Sequence, residues 1–193
     1  MKLYFKPGAC SMAPHIALRE AGLAFDLEKV DLAKHQTAAG DDYLRVNAKG
    51  YVPALRLDDG SLLTECTVIL QYIADRQPGG TLAAPAGSME RYRLLEWLNF
   101  LATEVHKTFS PFFNQKAPQE IKDYNLRLLT RRLGYLDAQL DGRDFLLGDR
   151  FTVADIYLFT LLNWCNLHQI DLAQWPALKD FMTRVAARPS VRR

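Results

Sequence analysis

Cysteine is scarce in this sequence, and neither sign of charge is in excess. The 193 residues contain 3 cysteines, 24 Lys and Arg, and 22 Asp and Glu, for a net charge of +2 at pH 7. Three cysteines without regular spacing argue against a disulfide framework and indicate a reducing compartment. A nearly balanced charge gives no sign of nucleic-acid binding. We therefore expect a cytoplasmic protein with no nucleic-acid partner.

Long apolar runs are also missing. No run approaches the roughly 18 residues that span a bilayer, and the first residues lack the basic start, apolar centre and small-residue cleavage site of a secretory signal. Hydrophobic residues nonetheless make up 49% of the chain and charged residues 24%, which is the balance of a chain that buries a sizeable core. We expect a soluble globular protein with no membrane partner.

The pattern of the chain changes once, after about residue 76. Before that point, short apolar strands alternate with helices at 3–5, 10–21, 26–31, 42–45, 54–57, 61–63 and 65–75. Residues 78–87 are small, polar and rich in Pro and Gly, as in a linker. Everything after Ser88 has a helical pattern. We predict an α/β domain at 1–77, a linker at 78–87 and an all-α domain at 88–193.

Two long helices are predicted at the start of the second domain. The first runs from Ser88 to Phe113 with an interruption near Pro111, and the second follows Pro118. The second helix carries an apolar stripe at helical spacing, formed by Leu126, Leu129, Leu133, Leu136 and Leu140.

A later helix has the sequence signature of a capped N terminus. Thr152 fits the N-cap and Asp155 the N3 position of a capping box, with Asp in place of Glu or Gln. Phe151 and Ile156 fit the hydrophobic staple around it. We therefore interpret Asp155 as a structural residue rather than a catalytic one.

A proline stands at the entry to one predicted strand. Pro53 lacks a donor for the sheet ladder, which leaves the backbone of Val52 available to another partner, and the Val52–Pro53 bond is a candidate for the cis form. An extended peptide could pair with Val52 as an added strand. Its carboxylate could rest on the helix N terminus at Glu65 and Cys66, where unpaired N–H groups favour anions. An ordinary β-hairpin followed by a capped helix explains the same residues equally well.

Cys10 stands between a predicted strand and the start of a predicted helix. The positive end of a helix favours the thiolate, which is the reactive form of cysteine. A structural cysteine is more typical of a mid-element position on an apolar face, as Cys165 is. This position favours a functional role for Cys10.

The segments around Cys10 and around Val52–Pro53 belong to a wider pattern that extends along the chain. The segments that carry it are 1–4, 7–11, 47–55, 58–60, 63–65, 96–100, 104–107 and 151–159. They run nearly end to end and resemble the glutathione S-transferases, most closely the bacterial beta class. The resemblance implies a thioredoxin-like first domain, an all-helical second domain, a glutathione site at their junction, and a homodimer. It implies no metal.

Glutathione is a tripeptide with two carboxylates, one ammonium and a thiol. Each of these groups can be matched to a residue of the first domain that would bind it. The backbone of Val52, next to Pro53, would pair with the central peptide. Glu65 would bind the ammonium, and the N–H groups at Glu65 and Cys66 would bind the α-carboxylate. The thiol needs a positive or hydrogen-bonding environment to ionise near neutral pH.

The resemblance adds residues from the second domain. Asn99, Thr103 and His106 lie at i, i+4 and i+7 of the predicted long helix, so one face of it would line the cleft. Glu104 would bind the γ-glutamyl ammonium across the dimer interface. An electrophile pocket could be walled by aromatic side chains, which could equally form core: Phe109, Phe112, Phe113 and Trp164.

Two positions depart from the family pattern. Cys66 stands where relatives commonly have a small residue or serine, and a thiol is a poorer hydrogen-bond donor than a hydroxyl. His35 stands where relatives often carry lysine to hold the glycyl carboxylate. Neutral imidazole would hold that carboxylate more weakly.

The role of Cys10 has several readings. Most glutathione transferases activate the thiol with a hydroxyl, for which Tyr4 and Ser11 are the nearest residues. The beta class has cysteine where Cys10 stands, with His106 nearby as acid–base or hydrogen-bond partner. The sequence after Cys10 lacks the second thiol of a Cys-x-x-Cys pair, which predicts that dithiol exchange is excluded. A mixed disulfide between Cys10 and glutathione, resolved by a second glutathione, stays open.

The sequence is accordingly interpreted as a beta-class-like glutathione transferase in detoxification. Its reaction would join the glutathione thiolate to small apolar electrophiles. Thiol exchange or reductive dehalogenation through Cys10 is the nearest enzymatic alternative. The non-enzymatic alternative is a ligand-binding or regulatory protein that kept the fold.

The departure at Cys66 yields a first prediction. Cys66→Ser should leave the affinity for glutathione unchanged or tighten it, because a hydroxyl donates a better hydrogen bond than a thiol and the backbone donor remains. Isothermal titration calorimetry of both proteins with glutathione measures this. A loss of about tenfold, or about 1.4 kcal/mol, would contradict the prediction.

Overall fold

The computed structural model of the chain describes residues 1–192, which fall into two compact units. The first unit is Met1–Ala83 and the second begins at Ala84. This division lies within the stretch 78–87 that the sequence predicts as a linker. The first unit combines a five-stranded sheet with helices and the second is helical, which confirms the predicted fold class. Within residues 1–192, none of the helices combines the length and the hydrophobicity of a transmembrane span.

The strands and helices of the first unit alternate as predicted. They are β1 (Lys2–Phe5), α1 (Met12–Glu20), β2 (Asp26–Asp31), β3 (Gln36–Thr37), α2 (Tyr43–Val46), β4 (Ala54–Arg56), β5 (Leu62–Thr64) and α3 (Cys66–Arg76). The two-residue strand β3 was not predicted, because so short a strand has no measurable period. Helix α1 begins at Met12 with Ser11 as N-cap, so the prediction of a helix start at Cys10 is wrong by two residues.

The sheet has the order β3-β2-β1-β4-β5, with β1 in the middle. Strand β1 pairs parallel to β2 and antiparallel to β4, and β5 is antiparallel to β4. Tyr4, Ala54 and Thr64 therefore lie side by side in one row across three strands. The chain after β1, the chain before β4 and the chain after β5 meet at this edge of the sheet.

Both faces of the central strand are covered. Successive residues of a strand point to opposite faces, and Leu3 and Tyr4 are both buried. Tyr4 packs in a cluster with four residues from other parts of the unit, namely Val30, Tyr43, Val52 and Ala54. Because β1 is buried on both sides, the edge formed by Tyr4, Ala54 and Thr64 is held rigidly.

The second unit contains six α-helices among its described residues. They are α4 (Met89–Phe100), α5 (Ser110–Phe113), α6 (Gln119–Leu140), α7 (Val153–Leu167), α8 (Pro176–Ala186) and α9 (Pro189–Arg192). Helix α6 buries Leu129, Leu133, Leu136 and Leu140, as the stripe predicts, but Leu126 is 39% exposed.

The predicted helix from Ser88 to Phe113 is broken well before Pro111. After α4, residues Leu101–His106 form a π-helical segment and Lys107–Phe109 a turn of 3-10 helix. A π segment hydrogen-bonds i to i+5 and is typical of functional sites. The 3.6-residue period from which the alignment of Asn99, Thr103 and His106 was predicted is therefore not maintained through Leu101–His106, and their alignment along a cleft stays a prediction.

The capping box of α7 is confirmed. The Thr152 hydroxyl accepts a hydrogen bond from Ala154 N–H at 3.3 Å. Asp155 is fully buried, and its carboxylate accepts from Thr152 N–H and Leu146 N–H at 2.8 Å each and from the Thr152 hydroxyl at 2.9 Å. One side chain thus ties the start of α7 to the preceding loop.

Removing this carboxylate should destabilise the protein without touching the ligand site. Asp155→Ala leaves three donors unpaired in a buried place, so we expect the free energy of unfolding to fall by about 2 kcal/mol or more. Urea unfolding followed by circular dichroism measures this. Asp171→Ala is the matched control, because Asp171 caps Ala173 N–H at an exposed site and should cost less than about 1 kcal/mol. A stable Asp155→Ala protein that fails to bind glutathione would contradict the structural role.

The difference in unfolding free energy between wild type and Asp155→Ala should depend on pH. Burial raises the pKa of Asp155 to about 6, against the hydrogen bonds from Leu146 and Thr152, which lower it. Between about pH 4 and pH 6 the folded protein therefore keeps a proton that the unfolded chain loses, so the contribution of Asp155 to stability declines as pH rises through that range. The stability gap to Asp155→Ala should be wider at pH 4 than at pH 7. A gap that widens towards pH 7 would mean that the hydrogen bonds outweigh burial.

Candidate functional site

Cys10 lies in the turn between β1 and α1, just ahead of the helix N terminus. Its carbonyl accepts a hydrogen bond from Ala13 N–H at 3.0 Å. Its thiol donates to the carbonyl of Val52 at 3.5 Å. The residue is partly exposed and not in a disulfide. The structure therefore brings together Cys10 and Val52, which the sequence singled out separately.

The two residues near Cys10 that carry a hydroxyl, Ser11 and Tyr4, are both buried. Ser11 is buried, and its hydroxyl both accepts from Lys6 N–H and donates to Lys6 C=O, each at 3.1 Å. Tyr4 is buried with its ring centroid 5.6 Å from that of Tyr43. Of the three residues considered for activating a thiol, only Cys10 is partly exposed.

The other two cysteines are buried and held as neutral thiols. Cys66 is the first residue of α3, and its thiol donates to the carbonyl of Cys10 at 3.7 Å. Burial raises the pKa of Cys66 well above its ordinary value, and hydrogen bonding to the Cys10 side chain and the charge of Cys10 raise it further. Burial raises the pKa of Cys165 to about 12. The Cys66 thiol thus donates its hydrogen bond to Cys10, and in this structure it is not a free donor for the α-carboxylate of glutathione.

The segment before β4 is fixed by hydrogen bonds to one carbonyl. The Val52–Pro53 peptide bond is cis. The carbonyl of Tyr51 accepts from the Tyr43 hydroxyl at 2.9 Å and from the Asn47 side-chain amide at 2.8 Å. Both donors are buried, so the backbone that leads into Val52 is held in place from the inside.

Glu65 precedes α3 in a left-handed conformation, with φ of 68°. Its carboxylate accepts from Lys49 Nζ and from the Tyr51 hydroxyl, at 2.6 Å each. These hydrogen bonds raise the pKa of both Lys49 and Tyr51. Sequence reasoning did not assign either partner, although both lie in the segment 47–55 that carried the resemblance. The carboxylate already holds one cation, which is the chemistry that an ammonium ligand requires.

His35 is packed against the loop that leads to the cis bond. A Cβ on Gly50, where φ is 71°, would come within 3.1 Å of the His35 ring, so glycine is required there. Among the described residues, Nδ1 of His35 is buried without a hydrogen-bond partner. Its predicted contact with a carboxylate stays a prediction.

In the second unit, His106 ends the π-helical segment and contacts two aromatic residues of α7. Its Nδ1 lies 2.6 Å from the hydroxyl of Tyr157, and its ring centroid lies 4.9 Å from that of Trp164. Tyr157 is buried and was not assigned a role from the sequence, although it belongs to the segment 151–159. The spacing of 51 residues gives no local signal for this contact.

The predicted polar residues of this segment are joined within their own unit. The Thr103 hydroxyl donates to the Asn99 carbonyl at 3.1 Å. Glu104 forms an ion pair with Arg132 of α6 in which both side chains are partly exposed. Sequence reasoning missed Arg132, which lies 28 residues away. The reach of Glu104 to a partner subunit stays a prediction.

The aromatic residues are divided between core and surface. Phe109 is completely buried and Trp164 nearly so, whereas Phe113 is 46% exposed. The Trp164 ring centroid lies 5.4 Å from that of Phe109 and 4.9 Å from that of Phe113. Phe109 is thus packed in the core of the second unit, and its assignment as a pocket wall stays a prediction. No group of three or more His, Cys, Asp or Glu within residues 1–192 is placed to hold a metal ion.

Known proteins share both units of this chain. The model described as "Glutathione S-transferase, N-terminal domain" matches residues 8–76, and "Glutathione S-transferase, C-terminal domain" matches residues 100–189. Glutathione S-transferase GstA of Escherichia coli O157:H7 is 49% identical over 99% of this chain and 95% of its own length.

Solved structures give the same result. A sphingomonad glutathione S-transferase complexed with glutathione has a TM-score of 0.96 at 49% identity, covering 100% of this chain and 96% of its own. The bacterial beta class glutathione S-transferase of Sphingomonas chungbukensis has the same TM-score, identity and coverage. The chain belongs to the glutathione S-transferase family, as an enzyme of the bacterial beta class.

Proposed function

We propose that this transferase binds glutathione and joins its thiolate to small apolar electrophiles. The observation that carries the proposal is the edge of the sheet where Cys10, Val52 and Cys66 meet, with Glu65 at the start of α3. The related sphingomonad enzyme has been solved with glutathione. The same edge in this chain offers groups that complement each part of that tripeptide.

Binding would use one backbone segment and one helix terminus. The backbone at Val52 would pair with the central peptide, as an added strand does. The N–H groups at the start of α3 would hold the α-carboxylate. Glu65 would accept the ammonium, which would share the carboxylate with Lys49. Lys49 and Glu65 are both half exposed, so weakening their ion pair to admit the ammonium costs little free energy.

The conjugation step itself requires an ionised thiol and a good leaving group. The glutathione thiol loses its proton to solvent, and the thiolate attacks an electrophilic carbon. A carbon–sulfur bond forms while a leaving group such as chloride departs with its bonding electron pair. Exposed Phe113, packed on Trp164, supports an apolar acceptor site in the second unit.

His106 would donate a hydrogen bond to the thiolate, and Tyr157 would fix the histidine tautomer. A phenol is a strong donor and an imidazole nitrogen a strong acceptor, so the 2.6 Å contact favours Tyr157 O–H donating to Nδ1. Nε2 then carries the proton and presents it outward. With its proton on Nε2, His106 would stabilise a thiolate by donating a hydrogen bond to it.

Thiol–disulfide exchange or reductive dehalogenation through Cys10 is the second candidate function. It is favoured by the partial exposure of Cys10, whereas Cys66 and Cys165 are buried and burial raises the pKa of each. A cysteine nucleophile must be reachable and able to ionise. Among the three cysteines, Cys10 alone meets the first condition.

The proposal extends to a cytoplasmic homodimer with a detoxifying role. Three cysteines without a disulfide support a reducing compartment. Glu104, held by Arg132 at a partly exposed site, would reach the γ-glutamyl ammonium bound to the partner subunit. A site that is completed by a second copy would make activity depend on dimerisation.

The role of Cys10 can be tested with one substitution. We expect Cys10→Ala to lose reduction of a glutathione mixed disulfide, because Cys66 and Cys165 are buried neutral thiols. Calorimetry should show glutathione still bound, since Val52, Glu65 and the start of α3 remain. Cys165→Ala is the matched control and should keep both properties. If neither wild type nor Cys10→Ala binds glutathione, the proposed function is wrong.

The link between Tyr157 and His106 yields a further prediction. Tyr157→Phe removes only the hydroxyl, and we expect kcat for conjugation of a chloronitroaromatic to fall about tenfold, the worth of about 1.4 kcal/mol. KM for glutathione should change little.

A double-mutant cycle controls for structural damage. In a His106→Gln background, Tyr157→Phe should have no additional effect, because Tyr157 acts through that ring. Tyr135→Phe, on the exposed face of α6, is the matched control and should keep full activity. Independent, additive losses from the two substitutions would refute the coupling.

A further inference from the structure

Two thiols from distant parts of the first unit meet at one edge of the sheet. Cys10 follows β1 and Cys66 opens α3, 56 residues later. The Cys66 thiol donates to the Cys10 carbonyl at 3.7 Å, and the Cys10 thiol donates to the Val52 carbonyl at 3.5 Å. The helices that follow them, α1 and α3, pack together, so this arrangement is fixed by the fold.

We propose that Cys66 is a resolving cysteine, and that Cys10 and Cys66 cycle between a dithiol and an intramolecular disulfide during reduction of small disulfides. This activity goes beyond conjugation. The absence of a Cys-x-x-Cys motif predicted that a dithiol route is excluded. The fold overturns that reason, because it supplies the second thiol from another segment.

The reaction balances with a disulfide as oxidant and glutathione as reductant. The Cys10 thiolate attacks a substrate disulfide, so that a mixed disulfide forms and one substrate thiolate leaves. Cys66 then loses its proton to solvent and attacks the Cys10 sulfur, which forms the Cys10–Cys66 disulfide and releases the second substrate thiolate. The substrate gains two electrons and the protein loses two.

Two glutathione molecules return the protein to its starting state. The thiolate of the first attacks the protein disulfide and releases Cys66 as a thiolate, which takes up a proton. The second attacks the mixed disulfide on Cys10, which leaves as a thiolate while glutathione disulfide forms. No further oxidant or metal is needed.

The environment of Cys66 suits a thiol that reacts second. Cys66 is buried, so an external disulfide reaches partly exposed Cys10 first. The pKa of Cys66 is raised by burial and then by the hydrogen bond and charge of Cys10. A mixed disulfide on Cys10 carries no charge, so the contribution from that charge disappears once the first step has occurred.

The test is to oxidise the reduced protein with glutathione disulfide, block remaining thiols and map the products by peptide mass spectrometry. In wild type we expect the peptides of Cys10 and Cys66 to be joined by a disulfide, with little stable glutathione adduct. Cys66→Ser should instead accumulate the adduct on Cys10, because the thiol that would release it is missing. Cys165→Ala, whose thiol is buried in α7, should behave as wild type.

The outcomes separate this inference from the proposed function. Equal accumulation of the Cys10 adduct in wild type and Cys66→Ser, or no joined peptides in wild type, overturns the resolving role. Conjugation activity of the reduced proteins is measured in parallel and reports on the proposed function alone. Retained conjugation without the joined peptides would leave the transferase reaction standing and remove only the dithiol cycle.

Discussion

The antiparallel pairing of β4 with both β1 and β5 is the constraint on which the candidate site depends. It places Tyr4, Ala54 and Thr64 in one row, so the residues that follow β1, precede β4 and follow β5 must converge. Cys10, Val52 and Cys66 occupy those three places. Since β1 is buried on both faces, the row cannot shift by one residue without exposing core side chains.

Burial divides the chemistry among residues of similar type. Cys10 is partly exposed, whereas Cys66 and Cys165 are buried and their pKa values are raised. The Ser11 hydroxyl hydrogen-bonds to the backbone of Lys6, and Tyr4 packs in the core. In the proposed chemistry Cys10 is therefore the thiol that reacts first, and Cys66 next to it is the proposed resolving thiol.

The second unit orients its functional side chains through helix irregularities and buried polar contacts. The π-helical segment changes the direction of the residues up to His106, and Tyr157 holds the His106 ring. Tyr157 can do so because α7 is fixed at its start by Asp155, whose carboxylate binds three donors from the cap and the preceding loop. The role proposed for Tyr157 thus depends on a helix whose start is fixed by Asp155.

The sequence by itself determined the elements whose signals are local. The change of pattern near residue 76, the strands before and after Asp58, and the Thr152–Asp155 capping box were all readable because hydrophobic period and cap chemistry act within a few residues. The position of Cys10 beside a helix start was also readable, to within two residues.

Only the tertiary structure decided which side chains meet. The approach of Cys66 to Cys10, the Tyr157 contact of His106 and the Arg132 pair of Glu104 each join residues 28 to 56 positions apart. The π-helical segment that begins at Leu101 packs against α6 and α7, and Phe109 packs on Trp164 of α7. Such contacts are set by strand register and helix packing, which no pattern within one segment encodes.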